Sequence, residues 1–268
     1  MKYRVMLGAV ALAATLSPVA AQAEGMFDWV HGDWYLTVGA SGIAQSKFEG
    51  SKDMAFAVSP IISLGKVGPE ARFISRNDNI SFALLDKGSL RAGVAGKLIW
   101  GRDSDKYDET KGMSDVKFGG ELGAFAEVYP TDWLRVRGEV RQGIRSHSGV
   151  VADLSADAFY DVTDRVRLSA GPRASIASKG YYKAYYGVDA EEAAASGLSQ
   201  YDPKGGLKSV GVGGAITWKT TENITTSLFG EYARLTGPAA DSSLVKERGS
   251  RDQFTVGVSA AYKFNFQM

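Results

Sequence analysis

Hydrophobic and polar residues alternate along most of this chain, most plainly at its end. From 252 to 266, Phe254, Val256, Val258, Ala260, Tyr262, Phe264 and Phe266 share one face, and Thr255, Gly257, Ser259, Ala261, Lys263 and Asn265 share the other. A period of two puts successive side chains on opposite faces of an extended strand. The centre repeats the pattern with charge on the polar side. In 132–145, Leu134, Val136, Gly138, Val140 and Ile144 oppose Arg135, Arg137, Glu139, Arg141 and Arg145, with Gln142 the one polar exception on the apolar face. In 149–162, Val150, Ala152, Leu154, Ala156, Ala158 and Tyr160 oppose Asp153, Ser155, Asp157 and Asp161. In 164–177, Val166, Leu168, Ala170, Pro172, Ala174 and Ile176 oppose Arg165, Arg167, Ser169, Arg173 and Ser175.

Short links join these three segments, which predicts antiparallel neighbours. An arginine face, an aspartate face and an arginine face then meet on one side of a sheet, where opposite charges attract across strands. Similar segments elsewhere bring the predicted strands to about twelve: 33–44, 54–64, 70–75, 79–85, 89–100, 115–128, 132–145, 149–162, 164–177, 207–219, 223–235 and 252–266. Most exceed the roughly 9–11 residues that a tilted strand needs to cross a bilayer; the third and fourth are short. Tight links at 65–69, 86–88, 129–131, 163 and 220–222 alternate with long polar ones at 101–114, 178–206 and 236–251. Within the second long link, 189–196 reads as a short helix capped by Asp189, with acidic residues near its positive end.

A soluble antiparallel sheet would alternate in the same way, so the start of the chain matters. Lys2 and Arg4 precede an apolar run from 5 to 19, and Ala21-Gln22-Ala23 fits a small-x-small cleavage site. Residues 1–23 therefore read as a signal peptide, cleaved to leave Glu24 first. The apolar run is shorter than the ~20 residues of a spanning helix, and no later segment is apolar enough to be one. An exported chain with this many strands is expected to be an all-β, antiparallel transmembrane barrel of the outer membrane over 24–268, because closure alone satisfies every backbone group in lipid. An even strand number would leave both termini in the periplasm, with short turns there and longer loops outside. Trp34, Trp100, Tyr129, Trp133, Tyr160, Trp218, Tyr232 and Phe266 fall near strand ends, as interfacial aromatics do.

Composition removes most chemistry. The 268 residues include no cysteine and two histidines, His31 and His147, so disulfides, thiolate sites and a histidine-rich metal centre are not expected. Cleavage takes Lys2 and Arg4 from 31 basic residues and none of the 30 acidic ones, leaving a net charge near −1 and no sign of nucleic-acid binding. Gly211-Val212-Gly213-Gly214 opens no helix and so is not a phosphate loop. His147 lies between Ser146 and Ser148, but sequence neighbours rarely face each other as nucleophile and base must. Neither an enzyme nor a cofactor is expected. The candidate site is a ladder of lumen charges: Arg135, Arg137, Arg141, Arg145, Asp153, Asp157, Asp161, Arg165, Arg167 and Arg173. These line a small charged pore or fill the lumen as mutual ion pairs; either way the barrel is far narrower than open porins of ~16 strands.

The last third carries a more specific signal. Tyr185-Tyr186-Gly187-Val188 leads through an alanine-rich piece to Ser196-Gly197-Leu198. Tyr201, Gly205-Gly206-Leu207-Lys208 and Val210-Gly211-Val212-Gly213 follow, then Tyr232-Ala233-Arg234-Leu235, Ala239-Ala240-Asp241-Ser242 and the closing Tyr262-Lys263-Phe264. These motifs resemble the MipA/OmpV family of outer-membrane proteins (MltA-interacting protein). Ser243 stands where the family usually has proline, Gly237-Pro238 replaces glycine-aspartate, and Gln267-Met268 extends past the usual terminal aromatic. The resemblance implies a barrel in contact with outer-membrane lipid. It also implies a scaffold that joins a lytic transglycosylase to a peptidoglycan synthase, or, as in other members, an adhesin, a small-ligand receptor or a narrow solute pore.

Overall fold

The structure is a computed structural model that describes residues 31–67, 73–75 and 78–267. The expected signal peptide and its cleavage site lie outside the described residues. Eleven strands account for most of the rest: β1 (Asp33–Ser46), β2 (Met54–Lys66), β3 (Ile80–Lys87), β4 (Leu90–Ile99), β5 (Gly119–Thr131), β6 (Leu134–Ile144), β7 (Val150–Thr163), β8 (Val166–Ala177), β9 (Gly206–Lys219), β10 (Ile224–Leu235) and β11 (Asp252–Gln267). They close in the order β1-β11-β10-β9-β8-β7-β6-β5-β4-β3-β2. Closure is antiparallel, from Asp33↔Gln267 to Gln45↔Thr255.

Alternation sorts the wall into two faces. Phe56, Val58, Val140, Leu154 and Val258 are each more than half exposed on the outside. That is where lipid replaces water as the neighbour, and where a soluble protein would not place a continuous apolar belt. The opposite parity faces inward. Arg135 is 0 % exposed and Arg141 and Asp157 1 %. Trp100 and Tyr160 are exposed as interfacial residues should be and Trp133 is exposed in the β5–β6 turn, whereas Trp34 is buried against Phe82, ring centroids 5.8 Å apart.

The strand count is eleven because the chain between β2 and β3 does not stay in the wall. Phe73, Ile74 and Ser75, the described part of the third predicted strand, belong to no strand. Phe73 instead stacks on Phe159 at 4.6 Å, under the Arg135 guanidinium at 4.9 Å. Asp78 and Asn79 bond Arg135 and Glu139 of β6. The chain thus returns through the lumen before entering β3, and β3 runs parallel to β2, meeting it at Ser63↔Ser81 and Leu64↔Phe82. With two consecutive strands pointing the same way, an odd number still brings the start of β1 and the end of β11 to one rim.

Short turns lie at that rim and long links at the other. The long links carry α1 (Lys179–Tyr186), α2 (Ala190–Ser196) and α3 (Gly237–Asp241). α2 is the helix expected at 189–196: the Asp189 carboxylate accepts from the amides of Glu191 and Glu192, and Glu192 accepts from the amide of Asp189. This reciprocal cap satisfies donors that a helix start leaves open. Asp189→Ala is expected to weaken α2 by about 1 kcal/mol, seen as faster amide exchange in 190–196 with the unfolding of the barrel unchanged.

Candidate functional site: the charged lumen and its cap

The inward faces of β4 to β8 build one continuous ion-pair network. Glu127 on β5, its side chain fully buried, accepts from Arg91 (3.1 Å), Arg137 (2.8 Å), Arg135 (3.4 Å) and the Tyr129 hydroxyl (3.1 Å). Arg135 grips Asp78 with both terminal nitrogens, at 2.6 and 2.9 Å, and reaches Asp157 at 2.7 Å. Arg173 bonds the other oxygen of Asp157. Arg137 meets Glu139 at 2.8 Å. Arg141 joins three carboxylates, Glu139 (2.5 Å), Asp153 (2.5 Å) and Glu121 (2.8 Å). The Arg137 guanidinium also lies over the Phe125 ring at 4.0 Å. With Asp86 3.7 Å from Arg91, five arginines face seven carboxylates, so most of the charge in the network is cancelled within it. Burying these charges is favourable only because each is paired and hydrogen-bonded.

The long links fold over the opposite end of the lumen as a cap. Phe48, Met113, Tyr181, Tyr182, Tyr186, Val188, Leu198, Leu235, Ala239, Leu244 and Val245 form its apolar core. α1 supplies three of those rings: Tyr182 and Tyr186, four residues apart, share one face, and Tyr181 packs edge-on against Tyr182 at 5.8 Å. Glu49, from the link between β1 and β2, is the polar centre of this cap. Its carboxylate accepts from the hydroxyls of Tyr181 (2.9 Å) and Tyr186 (2.7 Å) and from the Lys208 ammonium (2.8 Å). Burial alone pushes the Glu49 carboxyl up, but the Lys208 charge and the hydrogen bonds from Lys208 and Tyr186 outweigh it and hold the group below the usual carboxylate range. Burial, and next the Glu49 charge, push the Tyr181 and Tyr186 hydroxyls well up, so both stay protonated donors.

Between cap and network lies a cavity of about 480 Å³, roofed by Phe48, Glu49 and Tyr181 and floored by Asp78, Arg137 and Glu139. His147 is buried behind Glu121, one of the residues lining it. Nδ1 accepts from the Gly149 amide at 3.1 Å, so Nε2 is assigned the proton it shares with Glu121 at 3.1 Å. Neither neighbouring serine bonds the ring. Gly143 is required here, since a Cβ on it would lie 2.3 Å from the imidazole.

Of the ten ladder residues, the structure brings Arg135, Arg137, Arg141, Asp153, Asp157 and Arg173 into the network. The other four stand apart. Arg145 is exposed beyond the end of β6, with φ at 69°. Arg165 is exposed in the β7–β8 turn. Asp161 and Arg167 pair with each other at 2.6 Å near that turn, with 56 % and 27 % of their side chains exposed. Parity is right for Asp161, Arg165 and Arg167, but strand ends project past the enclosed lumen. Sequence reasoning missed Glu121 and Glu127, which the parity of β5 would have put on the inner face. It also missed Asp78 and Glu49, which come from links that no periodicity governs.

The family model described as MltA-interacting protein MipA matches residues 38–264. Among curated proteins none matches. Among solved structures the chain is similar to Neisserial surface protein A at 12 % identity and a TM-score of 0.30, over 87 % of this chain and 99 % of that one. It is similar to the NanC porin at 9 % and 0.40, over 85 % and 100 %. It is likewise similar to the outer membrane protein OprG of Pseudomonas aeruginosa at 10 % and 0.29, over 87 % and 96 %.

Proposed function

Because this outer-membrane β-barrel belongs to the MltA-interacting protein MipA family, we propose that it is a non-enzymatic scaffold, holding a lytic transglycosylase and a peptidoglycan synthase at its periplasmic rim. The observation that carries this reading is a lumen obstructed at both ends. A chain segment pinned by Asp78–Arg135 and a buried ion-pair network occupy the space a solute would cross, and a packed cap covers the other mouth. Such a barrel offers rigid, exposed turns rather than a path. Trp133, 55 % exposed in the β5–β6 turn, is the kind of aromatic anchor that interfaces use. His147 is committed to Glu121 and a backbone amide, which leaves it no serine to activate.

Crosslinking intact envelopes and co-purifying the barrel is expected to recover both classes of murein enzyme, and Trp133→Ala to reduce the yield. Recovery of neither would count heavily against the scaffold. In planar bilayers the folded protein is expected to show no steady conductance. Stepwise currents whose ion selectivity changes on neutralising Arg137 and Arg141 would favour a narrow pore instead.

A further inference from the structure

Among the described residues, the barrel wall is incompletely paired at one seam. β2 is paired with β1 along its whole length, from Trp34↔Lys66 to Ser46↔Met54. On its other side it meets β3 only at Ser63↔Ser81 and Leu64↔Phe82. β3 begins at Ile80, and the preceding Asn79 and Asp78 turn inward to Glu139 and Arg135. Among the described residues, the upper part of β2, from Met54 to about Ile61, therefore has no strand on that side. β4 likewise continues as Lys97–Ile99 past its last partner in β3, the Ile80↔Gly96 pair. One strand missing from a wall corresponds to about two strand spacings, ~10 Å. Phe56 on this stretch is 92 % exposed.

A bare strand edge in hydrocarbon is too costly to persist unless it borders a polar or water-filled space. Such a space lies directly behind it. A cavity of about 310 Å³ is bordered by the consecutive residues Ser59 to Ser63, hence by both faces of β2, which means that it reaches the strand edge. One part of its lining is apolar, formed by Ile43, Ile61, Ile74, Ile80 and Phe229, and the rest is polar, with Asp78 and Glu231 among the charged groups. Ile80 and Lys97 border this inner cavity and also an apolar groove on the outer surface. Lys97 stands at the threshold, opposite Glu121 in the β4–β5 register; among the described residues it makes no hydrogen bond or close ion pair, so its ammonium stays free to turn toward the seam, whereas the neighbouring Arg91, Arg137 and Arg141 are held in close pairs.

We propose that the seam above β3 is a lateral portal joining the lumen to the outer leaflet, and that it binds a single-chain fatty carboxylate. The apolar chain lies along the isoleucine-lined wall, and the carboxylate pairs with Lys97. This site is separate from the periplasmic turns, so it stands or falls independently of the scaffold role.

The full barrel in detergent, titrated with dansyl-labelled undecanoate, is expected to give saturable, blue-shifted fluorescence. Lys97→Met is expected to weaken binding at least about 10-fold, the worth of one ion pair in an apolar setting. Lys97→Arg should stay near wild type, and the neutral methyl ester of the probe should not distinguish the variants. Wild-type and variant barrels are compared only where both show the heat-shifted gel mobility of the folded form. No saturable binding, equal binding by Lys97→Met, or displacement by lipopolysaccharide with laurate inert would overturn the proposal. The chain has no cysteine, so a nitroxide at Ala57→Cys is unique. In bilayers it is expected to collide with membrane-dissolved oxygen far more than one at Thr217→Cys, which faces the lumen behind a closed wall and bonds Ser227. Equal shelter at both positions would show the wall to be closed.

Discussion

Arg135→Met is expected to destabilise the barrel by about 3–5 kcal/mol, the usual result of removing one partner from a buried charge cluster. Arg135 is the hub of the lower lumen. Its side chain has no exposure and it bonds Asp78, Glu127 and Asp157, carboxylates from the returning segment, β5 and β7. Removing it leaves Glu127 with Arg91 and Arg137 and Asp157 with Arg173, but Asp78 keeps only the Ser75 amide at 2.9 Å and a distant charge, Arg137 at 3.8 Å. Asp78 is therefore the group left exposed to the full desolvation penalty, and the segment that it pins is the part expected to loosen first. Pairing Arg135→Met with Asp78→Asn should recover part of the loss, because the orphaned charge goes with its partner. Urea unfolding in lipid vesicles, followed by tryptophan emission, measures both variants. A loss under about 1 kcal/mol for the single variant would mean that water already solvates the cluster and that the pairs behave as surface pairs. Arg135→Lys should not restore stability, since an ammonium cannot make the two-point contact with Asp78.

How much of this was legible in the sequence depends on which force fixes each part. Alternation is imposed by the wall itself, with lipid on one side and paired charge on the other, so β6, β7, β8 and β11 can be read residue by residue. The segment at 70–75 alternates too, yet Phe73 and Ser75 are not in the wall. Packing Phe73 on Phe159 satisfies the same polar and apolar pattern from inside the lumen, and only hydrogen-bond partners distinguish the two placements. The arginine and aspartate faces pointed to the network, and the direct Arg135↔Asp157 register confirms that the two strands meet. Periodicity could not show that Glu139 and Asp153 stand directly opposite each other. That arrangement is tolerable because the Arg141 guanidinium bridges both carboxylates. The cap was least legible. One helix announced itself through the Asp189 cap, but α1 is tyrosine-rich and carries no side-chain cap bond. Its burial depends on Glu49, distant in sequence by more than a hundred residues.

Glu49→Gln is expected to open the cap at neutral pH, by roughly 2–4 kcal/mol of local stability, given the worth of hydrogen bonds to a charged group and the cost of leaving the largely buried Lys208 ammonium alone. The amide keeps the shape of the side chain but removes the charge that Tyr181, Tyr186 and Lys208 converge on. Acid should do to the native protein what the substitution does at pH 7. The Glu49 carboxyl titrates below its ordinary value, near 4.3 in an unfolded chain. A depressed folded value means that its contribution is complete above about pH 4.3 and is lost as pH falls through the folded value. Native and variant caps should therefore differ most from pH 5 upward and converge in acid. Amide exchange at Ser250, whose N–H bonds the carbonyl of Gly50 beside Glu49, reports the opening directly. Tyr182, bonded to the Gly206 carbonyl and not to Glu49, separates opening of the cap from loss of one bond: Tyr182→Phe should cost only about 1 kcal/mol and leave the pH dependence in place. Equal exchange at Ser250 in native and Glu49→Gln protein at pH 7 would mean that the apolar core of the cap holds it shut without the carboxylate.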